Sequence, residues 1–181
     1  MTAIAPVSRL LIATLLAIVL TPACQARTIS LDNASVDTYF SPNGGAAEAA
    51  TRMIDSARHR VLLASYTFNS TLIASALKRA HQRGVEVHVV LDASNLDPAY
   101  SGATFLANAG VDVRTDSRYP IMHQKFIVAD DLVALGSMNF TLAGDRKNAE
   151  NFNVFRGASV LADEYASRFD GLYAESQPYT R

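Results

Sequence analysis

The chain has 181 residues, of which 49% are hydrophobic and 18% are charged, with 16 Lys and Arg against 17 Asp and Glu, one Cys and no Trp. This composition excludes a disordered tail, a disulfide-stabilised scaffold and a collagen-like rod, and the length fits one ordinary domain.

An apolar segment without charges extends from Leu10 to Leu20, directly after Arg9. Its 11 residues are too few for a helix that crosses a bilayer, which needs roughly 20. Small residues follow the segment, as they do at the cleavage site of a secretory signal peptide. We therefore expect residues 1–26 to be a signal peptide that is removed, leaving residues 27–181 as one domain in the periplasm or outside a bacterial cell.

The single cysteine, Cys24, lies at the end of this segment, and two fates are open to it. It is either discarded with the signal peptide or left near the new terminus, or it becomes the lipid-bearing first residue of a bacterial lipoprotein. The first fate is favoured, because Pro22 precedes Ala23 and the leucine of a lipoprotein signal is one position too far away. Membrane association is expected only if Cys24 is lipidated or the substrate is a lipid.

Hydrophobic periodicity predicts alternating strands and helices along the rest of the chain. The predicted strands cover residues 36–40, 61–68, 85–91, 111–114, 126–129, 132–135 and 151–155. The predicted helices cover residues 46–58, 72–80, 99–109 and 160–173. This alternation predicts an α/β fold with a mixed, mostly parallel sheet flanked by helices. Asp130 and Asp131 separate two strands and predict a hairpin.

Residues that carry chemistry cluster between positions 121 and 151. His123 and Lys125 are two apart on a predicted strand, so their side chains should share one face. Ser137 and Asn139 have the same spacing on the neighbouring strand, and Glu150 follows. Lysine, amide and hydroxyl groups can bind phosphate, and an imidazole can act as nucleophile or proton carrier near neutral pH. A His on a strand is more often an ordinary residue, and the nearby lysine makes a functional His123 an equal alternative.

The same residues resemble a known family. His123, Lys125 and Asp130 fit the HxKxxxxD motif of the phospholipase D superfamily, and residues 136–140 fit the GSxN segment that follows it. Glu150 fits the acidic position beyond. The resemblance covers nearly all of the chain after the predicted signal peptide, and the ordered set is far more specific than a bare HxK.

The sequence contains one copy of this motif, whereas larger members of the superfamily carry two and build one site from both. A short secreted chain with one copy resembles the bacterial Nuc-type endonucleases, which complete the site by forming a dimer. The resemblance therefore implies a phospholipase D-like fold in a single domain that forms a homodimer. It implies neither a cofactor nor a metal.

The resemblance also implies a role for each of the chemical groups. His123 would attack the phosphorus of a diester and form a phosphohistidine, while His123 of the partner subunit protonates the leaving oxygen. Lys125 and Asn139 would bind the non-bridging oxygens of the phosphate. Glu150 would orient His123 and stabilise its charged form.

The two remaining motif residues are assigned less directly. Ser137 would hydrogen-bond either this network or the phosphate itself. Asp130 is expected to be structural and to bind backbone groups near the hairpin turn.

Three hypotheses for function follow. The first is a metal-independent phosphodiesterase that acts as a non-specific endonuclease on DNA and, as a second substrate, RNA. The second keeps the chemistry in a phospholipase D-like hydrolase of phospholipid headgroups. The third is a binding module without activity, which is ranked last because the whole constellation is present. The mildly acidic composition counts against nucleic acid, which usually meets a basic surface, and leaves the substrate open between the first two.

Overall fold

The computed structural model describes residues 26–96 and 102–180. Within these ranges the strands are β1 (Ser35–Ser41), β2 (Arg60–Ser65), β3 (Glu86–Asp92), β4 (Asp112–Asp116), β5 (Lys125–Ala129), β6 (Leu132–Gly136), β7 (Glu150–Arg156) and β8 (Gln177–Pro178). The helices are α1 (Ala46–Ser56), α2 (Thr71–Gln82), α3 (Gly102–Asn108), α4 (Leu142–Arg146) and α5 (Ser159–Glu175). The predicted signal peptide, apart from its last residue, and Cys24 lie outside the described residues.

The strands form one sheet in the order β1-β7-β6-β5-β2-β3-β4-β8. The pairs β2–β3 and β3–β4 are parallel, as the alternation of strands and helices predicts. The other five pairings in the described ranges are antiparallel. The predicted mixed α/β sheet is therefore confirmed, but the expectation that it is mostly parallel is wrong. The two-residue turn between β5 and β6 permits only an antiparallel pair, because parallel neighbours need a crossover of a dozen or more residues.

Helices cover both faces of this sheet and divide the core into two parts. Alternate residues of the central strand β2 point to opposite faces, so Val61 and Leu63 pack in the core beneath α1, α2 and α3. Leu62 and Ala64 pack in the second core, beneath α5. Burial on both faces explains why β2 is a continuous apolar segment rather than an alternating one.

Local signals at the ends of the helices match the structure closely. Ser70 precedes α2, and its side-chain oxygen accepts a hydrogen bond from the Ile73 N–H at 3.3 Å, which caps the helix. Gly84 has φ of 85°, the left-handed conformation in which the chain leaves α2 for β3. The hairpin turn is also as predicted, with Asp130 at φ 52° between β5 and β6.

Three elements were not predicted: a single 3-10 turn over Ala93–Asn95, the short helix α4 and the two-residue strand β8. Each is too short to give a periodic hydrophobic signal. Of the predicted helix 99–109, residues 99–101 lie outside the described ranges, and α3 begins at Gly102. Among the described residues, no helix has both the length and the hydrophobicity of a membrane span.

Candidate active site

The sheet brings the motif residues to one of its ends. Since β5 is antiparallel to β2 and β6, and β7 is antiparallel to β6, the start of β5 and of β7 lies beside the end of β2 and of β6. His123 and Lys125 stand at the start of β5, Ser137 and Asn139 follow β6, and Glu150 begins β7. One end of the sheet therefore carries all five predicted side chains.

Three of these residues lie beyond the strands on which the sequence placed them. His123 precedes β5, and Ser137 and Asn139 follow β6. The β2–β5 ladder stops at Lys125, where β2 itself ends, so no pairing extends the strand to His123. The prediction that each pair shares one face of a strand is therefore wrong, and side-chain contacts position these groups instead.

His123 is exposed and is held by the groups around it. Its ring packs edge-on against Tyr66, with 4.8 Å between centroids and an interplanar angle of 61°. Its carbonyl oxygen accepts a hydrogen bond from Lys125 Nζ at 2.8 Å. Because no side chain or backbone group of the described residues hydrogen-bonds the imidazole, its nitrogens are free to meet a substrate.

Tyr66 was not among the predicted site residues. It directly follows β2, and its ring also lies 5.4 Å from Lys125 Nζ, close enough for a cation–π contact. The sequence signal was weak, because Tyr66 falls inside the apolar segment predicted as the strand 61–68. The structure thus adds an aromatic wall that touches both His123 and Lys125.

Lys125 is a buried cation, with 9% of its surface exposed. Burial lowers the pKa of its ammonium group, and the nearby Glu150 carboxylate opposes that shift. An ammonium removed from water gains strongly from an anion placed beside it. Lys125 is therefore suited to bind the oxygens of a phosphate.

Glu150 and Ser137 form a hydrogen-bonded pair beside the lysine. Ser137 Oγ donates to Glu150 Oε2 at 2.6 Å, and Asn148 Nδ2 donates to Glu150 Oε1 at 3.1 Å. Ser137 Oγ also accepts from the Asn151 N–H at 3.0 Å, which fixes the hydroxyl. The predicted pairing of Glu150 with His123 is not found among the described residues, where the Glu150 carboxylate accepts hydrogen bonds from Ser137 and Asn148 instead.

Asn139 lies in a segment tied to the end of β2. Its neighbour Phe140 forms a β-bridge with Phe68, and the Phe140 carbonyl accepts from the N–H groups of Asn69 and Ser70 at 3.1 and 3.0 Å. The side-chain oxygen of Asn139 is buried without a hydrogen-bond partner among the described residues. An unsatisfied buried group of this kind costs about 1–3 kcal/mol, a cost that is often found at functional sites.

Asp130 is remote from this end of the sheet and binds backbone, as expected for a structural residue. Its carboxylate accepts hydrogen bonds from the N–H groups of Arg58, His59 and Arg60 at 2.8, 3.0 and 3.0 Å. Burial acts to raise the pKa of Asp130, but these bonds outweigh it and hold the pKa below its ordinary value. Asp130 thus joins the β5–β6 hairpin to the start of β2.

Asp92 is a second residue that sequence reasoning missed. It ends β3, is 1% exposed, and its Oδ2 accepts from the Met122 N–H at 2.6 Å. Its Oδ1 accepts from the Ser94 N–H at 2.9 Å. Met122 directly precedes His123, so a buried carboxylate fixes the segment that carries the imidazole. The only signal was an acidic residue at the end of a buried strand.

The end of the sheet opens into a cavity of about 480 Å³ beside α5. His123 and Lys125 line its inner side, and Tyr165 and Arg168 of α5 line its outer side. The site is therefore an open cleft rather than an enclosed pocket.

These groups define the chemistry that the site can perform. An exposed imidazole can attack phosphorus, and a buried ammonium and an amide can stabilise the negative charge that develops on the phosphate oxygens. Among the described residues, no three His, Cys, Asp or Glu side chains are placed together to hold a metal ion.

Comparisons with known proteins agree with this geometry. Residues 50–173 match the family model described as the cardiolipin synthase, PLD-like domain. A phospholipase D of Rickettsia bellii is 39% identical over 136 residues, which cover 75% of this chain and 67% of that protein. A mitochondrial cardiolipin hydrolase of Xenopus laevis is 35% identical over 125 residues, or 68% of this chain and 59% of the relative. The chain therefore spans about two thirds or less of these relatives.

A solved structure matches over nearly its full length. The phospholipase D family member Nuc from Salmonella typhimurium has a TM-score of 0.78 and 34% identity, covering 82% of this chain and 99% of that one. NucT from Helicobacter pylori has the same fold, with a TM-score of 0.74, 23% identity and coverage of 81% and 99%. The chain therefore belongs to the phospholipase D superfamily of phosphodiesterases and is of the Nuc type.

Proposed function

We propose that the protein is a metal-independent endonuclease that hydrolyses phosphodiester bonds of DNA, with RNA as a second substrate. The observation that carries the chemistry is the exposed imidazole of His123 beside the buried ammonium of Lys125, whose Nζ bonds the His123 carbonyl at 2.8 Å. The nucleophile and the cation are thus part of one rigid unit, as preorganised phosphoryl transfer requires.

In the proposed reaction, an imidazole nitrogen of His123 attacks phosphorus, a P–N bond forms, and the P–O bond to the leaving oxygen breaks. The leaving oxygen takes a proton from an acid on the opposite side of the phosphorus. Water then attacks the phosphohistidine, gives a proton back to that acid, and releases the phosphate monoester and His123.

That acid is proposed to be His123 of the partner subunit in a homodimer. Within the described residues, the other histidines are not at this end of the sheet, and His88 is bonded to Glu86 and Asp112 near the start of β3. The carboxylate of Glu150 accepts hydrogen bonds from Ser137 and Asn148. A two-fold axis through the cleft would place a second imidazole opposite the first with no further residue, because an isologous interface pairs each surface with itself.

Nucleic acid is preferred as the substrate because the similarity to Nuc extends over 99% of that chain. The matches to proteins named phospholipase D and cardiolipin hydrolase cover 67% and 59% of those proteins, although the identity to the first is slightly higher. Those names support phospholipid headgroups as the second candidate substrate.

One experiment separates the two substrates. The purified protein is incubated in excess EDTA with supercoiled plasmid and, separately, with vesicles of phosphatidylcholine and of cardiolipin. Cleavage of the plasmid that survives EDTA and is lost in His123→Asn is the expected result. His59→Asn is the matched control, because His59 is an exposed histidine at the opposite end of the sheet. Release of headgroups without plasmid cleavage would transfer the assignment to lipids.

A subunit-mixing experiment tests the shared site. The protein should sediment as a dimer, and a mixture of His123→Asn with Lys125→Ala subunits should not regain wild-type activity, because every mixed dimer lacks one group in each half. Full recovery on mixing, or a fully active monomer, would rule out a site formed across the two-fold axis.

The proposal also locates the enzyme outside the cytoplasm, in the periplasm or secreted, after removal of residues 1–26. The support is the short apolar segment after Arg9. N-terminal sequencing of protein recovered from the periplasm tests this. A mature chain that begins with an acylated Cys24 would instead make it a lipoprotein.

A further inference from the structure

The cavity beside His123 has a second charged end that the proposed reaction does not use. It lies between α5 and the face of the sheet that carries Phe126 and Leu135, and it reaches from His123 to Arg168. Its volume of about 480 Å³ falls within the range of about 300–1,000 Å³ that is usual for sites of small ligands. It is large enough for a group attached to the phosphate that His123 attacks.

Arg168 has no acidic partner among the described residues. With the Gln124 carboxamide turned so that its oxygen faces Arg168, that oxygen accepts from Nε at 2.8 Å and from Nη2 at 3.0 Å. The guanidinium group also lies over the Tyr119 ring, 5.9 Å from its centroid. The neighbouring carboxylate, Glu164, is paired with Arg27 at 2.8 Å. An amide therefore fixes the direction of the guanidinium group while leaving its positive charge uncompensated.

An oriented and uncompensated guanidinium is a preferred group for binding phosphate. Its planar fork can donate two parallel hydrogen bonds to phosphate oxygens, which a lysine ammonium cannot do in a fixed geometry. Gln124 lies between His123 and Lys125 in the chain, so the amide that orients Arg168 is attached to the catalytic segment. The position of Arg168 relative to the attacked phosphate is thereby set.

The wall between the two charged ends is aromatic. Tyr165 packs edge-on against Phe126, with 5.1 Å between ring centroids and an interplanar angle of 70°. Burial raises the pKa of the Tyr165 hydroxyl, so this wall stays uncharged at neutral pH. Such a surface accepts the flat face of a base or the apolar face of a sugar.

We propose that this cavity binds the nucleoside next to the scissile bond and that Arg168 binds the following phosphate of the strand. The inference rests on the proposed nuclease function and specifies its substrate as a chain with at least two phosphates. It also explains how a protein with no net basic charge can bind a polyanion. Arg168 places one positive charge where a phosphate of the strand binds, so a basic surface is not needed.

The test compares substrates with and without a second phosphate. Arg168→Gln is assayed on a single-stranded oligonucleotide and on bis(p-nitrophenyl) phosphate, a diester with no neighbouring phosphate. We expect kcat/KM for the oligonucleotide to fall about 10- to 100-fold, the effect of losing a hydrogen bond to a charged group, with no change for the small diester. Arg168→Lys should recover part of the loss. Arg52→Gln, an exposed arginine on α1 at the other face of the sheet, is the matched control.

Binding gives a second readout that does not depend on turnover. In the His123→Asn background, the affinity for the oligonucleotide is measured against salt concentration. Arg168→Gln should reduce the slope of log K against log salt by about 0.7, the value for one phosphate contact on a single strand. Arg52→Gln should leave the slope unchanged.

The outcomes distinguish this inference from the function on which it rests. Cleavage of the oligonucleotide by wild type with equal losses on both substrates in Arg168→Gln, or with no loss, would overturn the subsite alone. Loss of the dimer in Arg168→Gln would also overturn it, by assigning Arg168 to the subunit interface. Hydrolysis of the small diester by wild type without cleavage of the oligonucleotide would overturn the proposed function and the subsite together.

Discussion

Asp92 holds the backbone of Met122 through a hydrogen bond of 2.6 Å from the Met122 N–H to Asp92 Oδ2. Asp92 is 1% exposed and lies at the end of the buried strand β3, so its carboxylate has little freedom to move. The hydrogen bond therefore restrains the segment that precedes His123. Asp92 thereby acts on His123, the proposed nucleophile, through the backbone of the preceding residue.

Replacing this carboxylate should impair the chemical step more than substrate binding. Asp92→Asn keeps the shape but directs an amide NH₂ at one of two N–H donors, Met122 or Ser94. Misplacing His123 by a fraction of an ångström should lower kcat about 10- to 100-fold with little change in KM. Steady-state kinetics measures both, and Asp131→Asn, an exposed residue of the hairpin turn, is the control. A rise in KM at constant kcat would contradict the positioning role.

Lys125 should lower the stability of the fold while it supports activity. Burial lowers its pKa, with Glu150 opposing, so the fold disfavours the charged form relative to the unfolded chain. The sign follows from proton binding: between the folded pKa and the ordinary value of about 10.4, the unfolded state binds more protons, and stability rises with pH. Lys125→Met should therefore raise the melting temperature at pH 7, with an advantage that shrinks as pH approaches 10.4.

The same variant should lose activity about 100-fold or more, as when a group that stabilises transition-state charge is removed. Thermal denaturation at several pH values and a diester hydrolysis assay measure the two effects. Lys147→Met, an exposed lysine after α4, should change neither. A Lys125→Met protein that melts lower than wild type at pH 7 would show that the buried ammonium stabilises the fold.

Ser137 and Glu150 should act as one unit. Their hydrogen bond of 2.6 Å joins the segment after β6 to the start of β7. Ser137→Ala and Glu150→Gln should each lower kcat/KM. The double variant should be little less active than the more impaired of the two single variants, because the effects of residues that share one network are not additive. A double-mutant cycle on kcat/KM measures the coupling, expected at about 0.5–3 kcal/mol. Additive losses would mean that the two residues act separately.

Asp130→Asn should destabilise the fold without changing the site. The variant tolerates the left-handed backbone at φ 52° but cannot accept all three backbone hydrogen bonds. We expect a loss of about 1–3 kcal/mol at pH 7, with kcat unchanged below the melting temperature. Because the folded pKa is depressed, the stabilisation is present above the unfolded pKa of about 3.9 and is lost as pH falls through the folded value. Equal effects at pH 7 and pH 3 would exclude this account.

His88 should make stability depend on pH near neutrality. Burial acts to lower its pKa, but hydrogen bonds to Glu86 and Asp112 outweigh burial and raise it above the ordinary value. The stabilisation is therefore complete below about pH 6.5 and is lost as pH rises through the folded pKa. His88→Gln should lower the melting temperature more at pH 6 than at pH 9. The opposite order in thermal denaturation would show that the imidazole is neutral in the fold.

The sequence predicted best the features that depend on neighbouring residues. The β2–α2–β3 unit and the turn at Asp130 follow from local periodicity and turn chemistry. The antiparallel pairing of β2 with β5 does not, because it joins Val61 to Ala129 with no local signal for either partner. This pairing made the sheet less parallel than expected.

The site was predicted as a set of residues but not as a set of contacts. His123, Lys125, Ser137, Asn139 and Glu150 were selected by motif, and the structure places them at one end of the sheet. Tyr66 and Asp92 were missed, because a single aromatic or acidic residue at the end of an apolar strand has no distinctive pattern. Their roles depend on which distant strand the sheet brings beside them.

The β2–β5 pairing also determines at which stage of folding the residues of the site come together. Tyr66 and Lys125 come into contact only when β5 pairs with β2, which are far apart in the sequence. The β2–α2–β3 unit, in contrast, can form from contacts between segments that are close in the sequence. Closing long loops before they gain contacts is a slow step in folding. The contacts of Tyr66 with His123 and Lys125 therefore exist only in the completed sheet, and a chain in which only the β2–α2–β3 unit has formed lacks them.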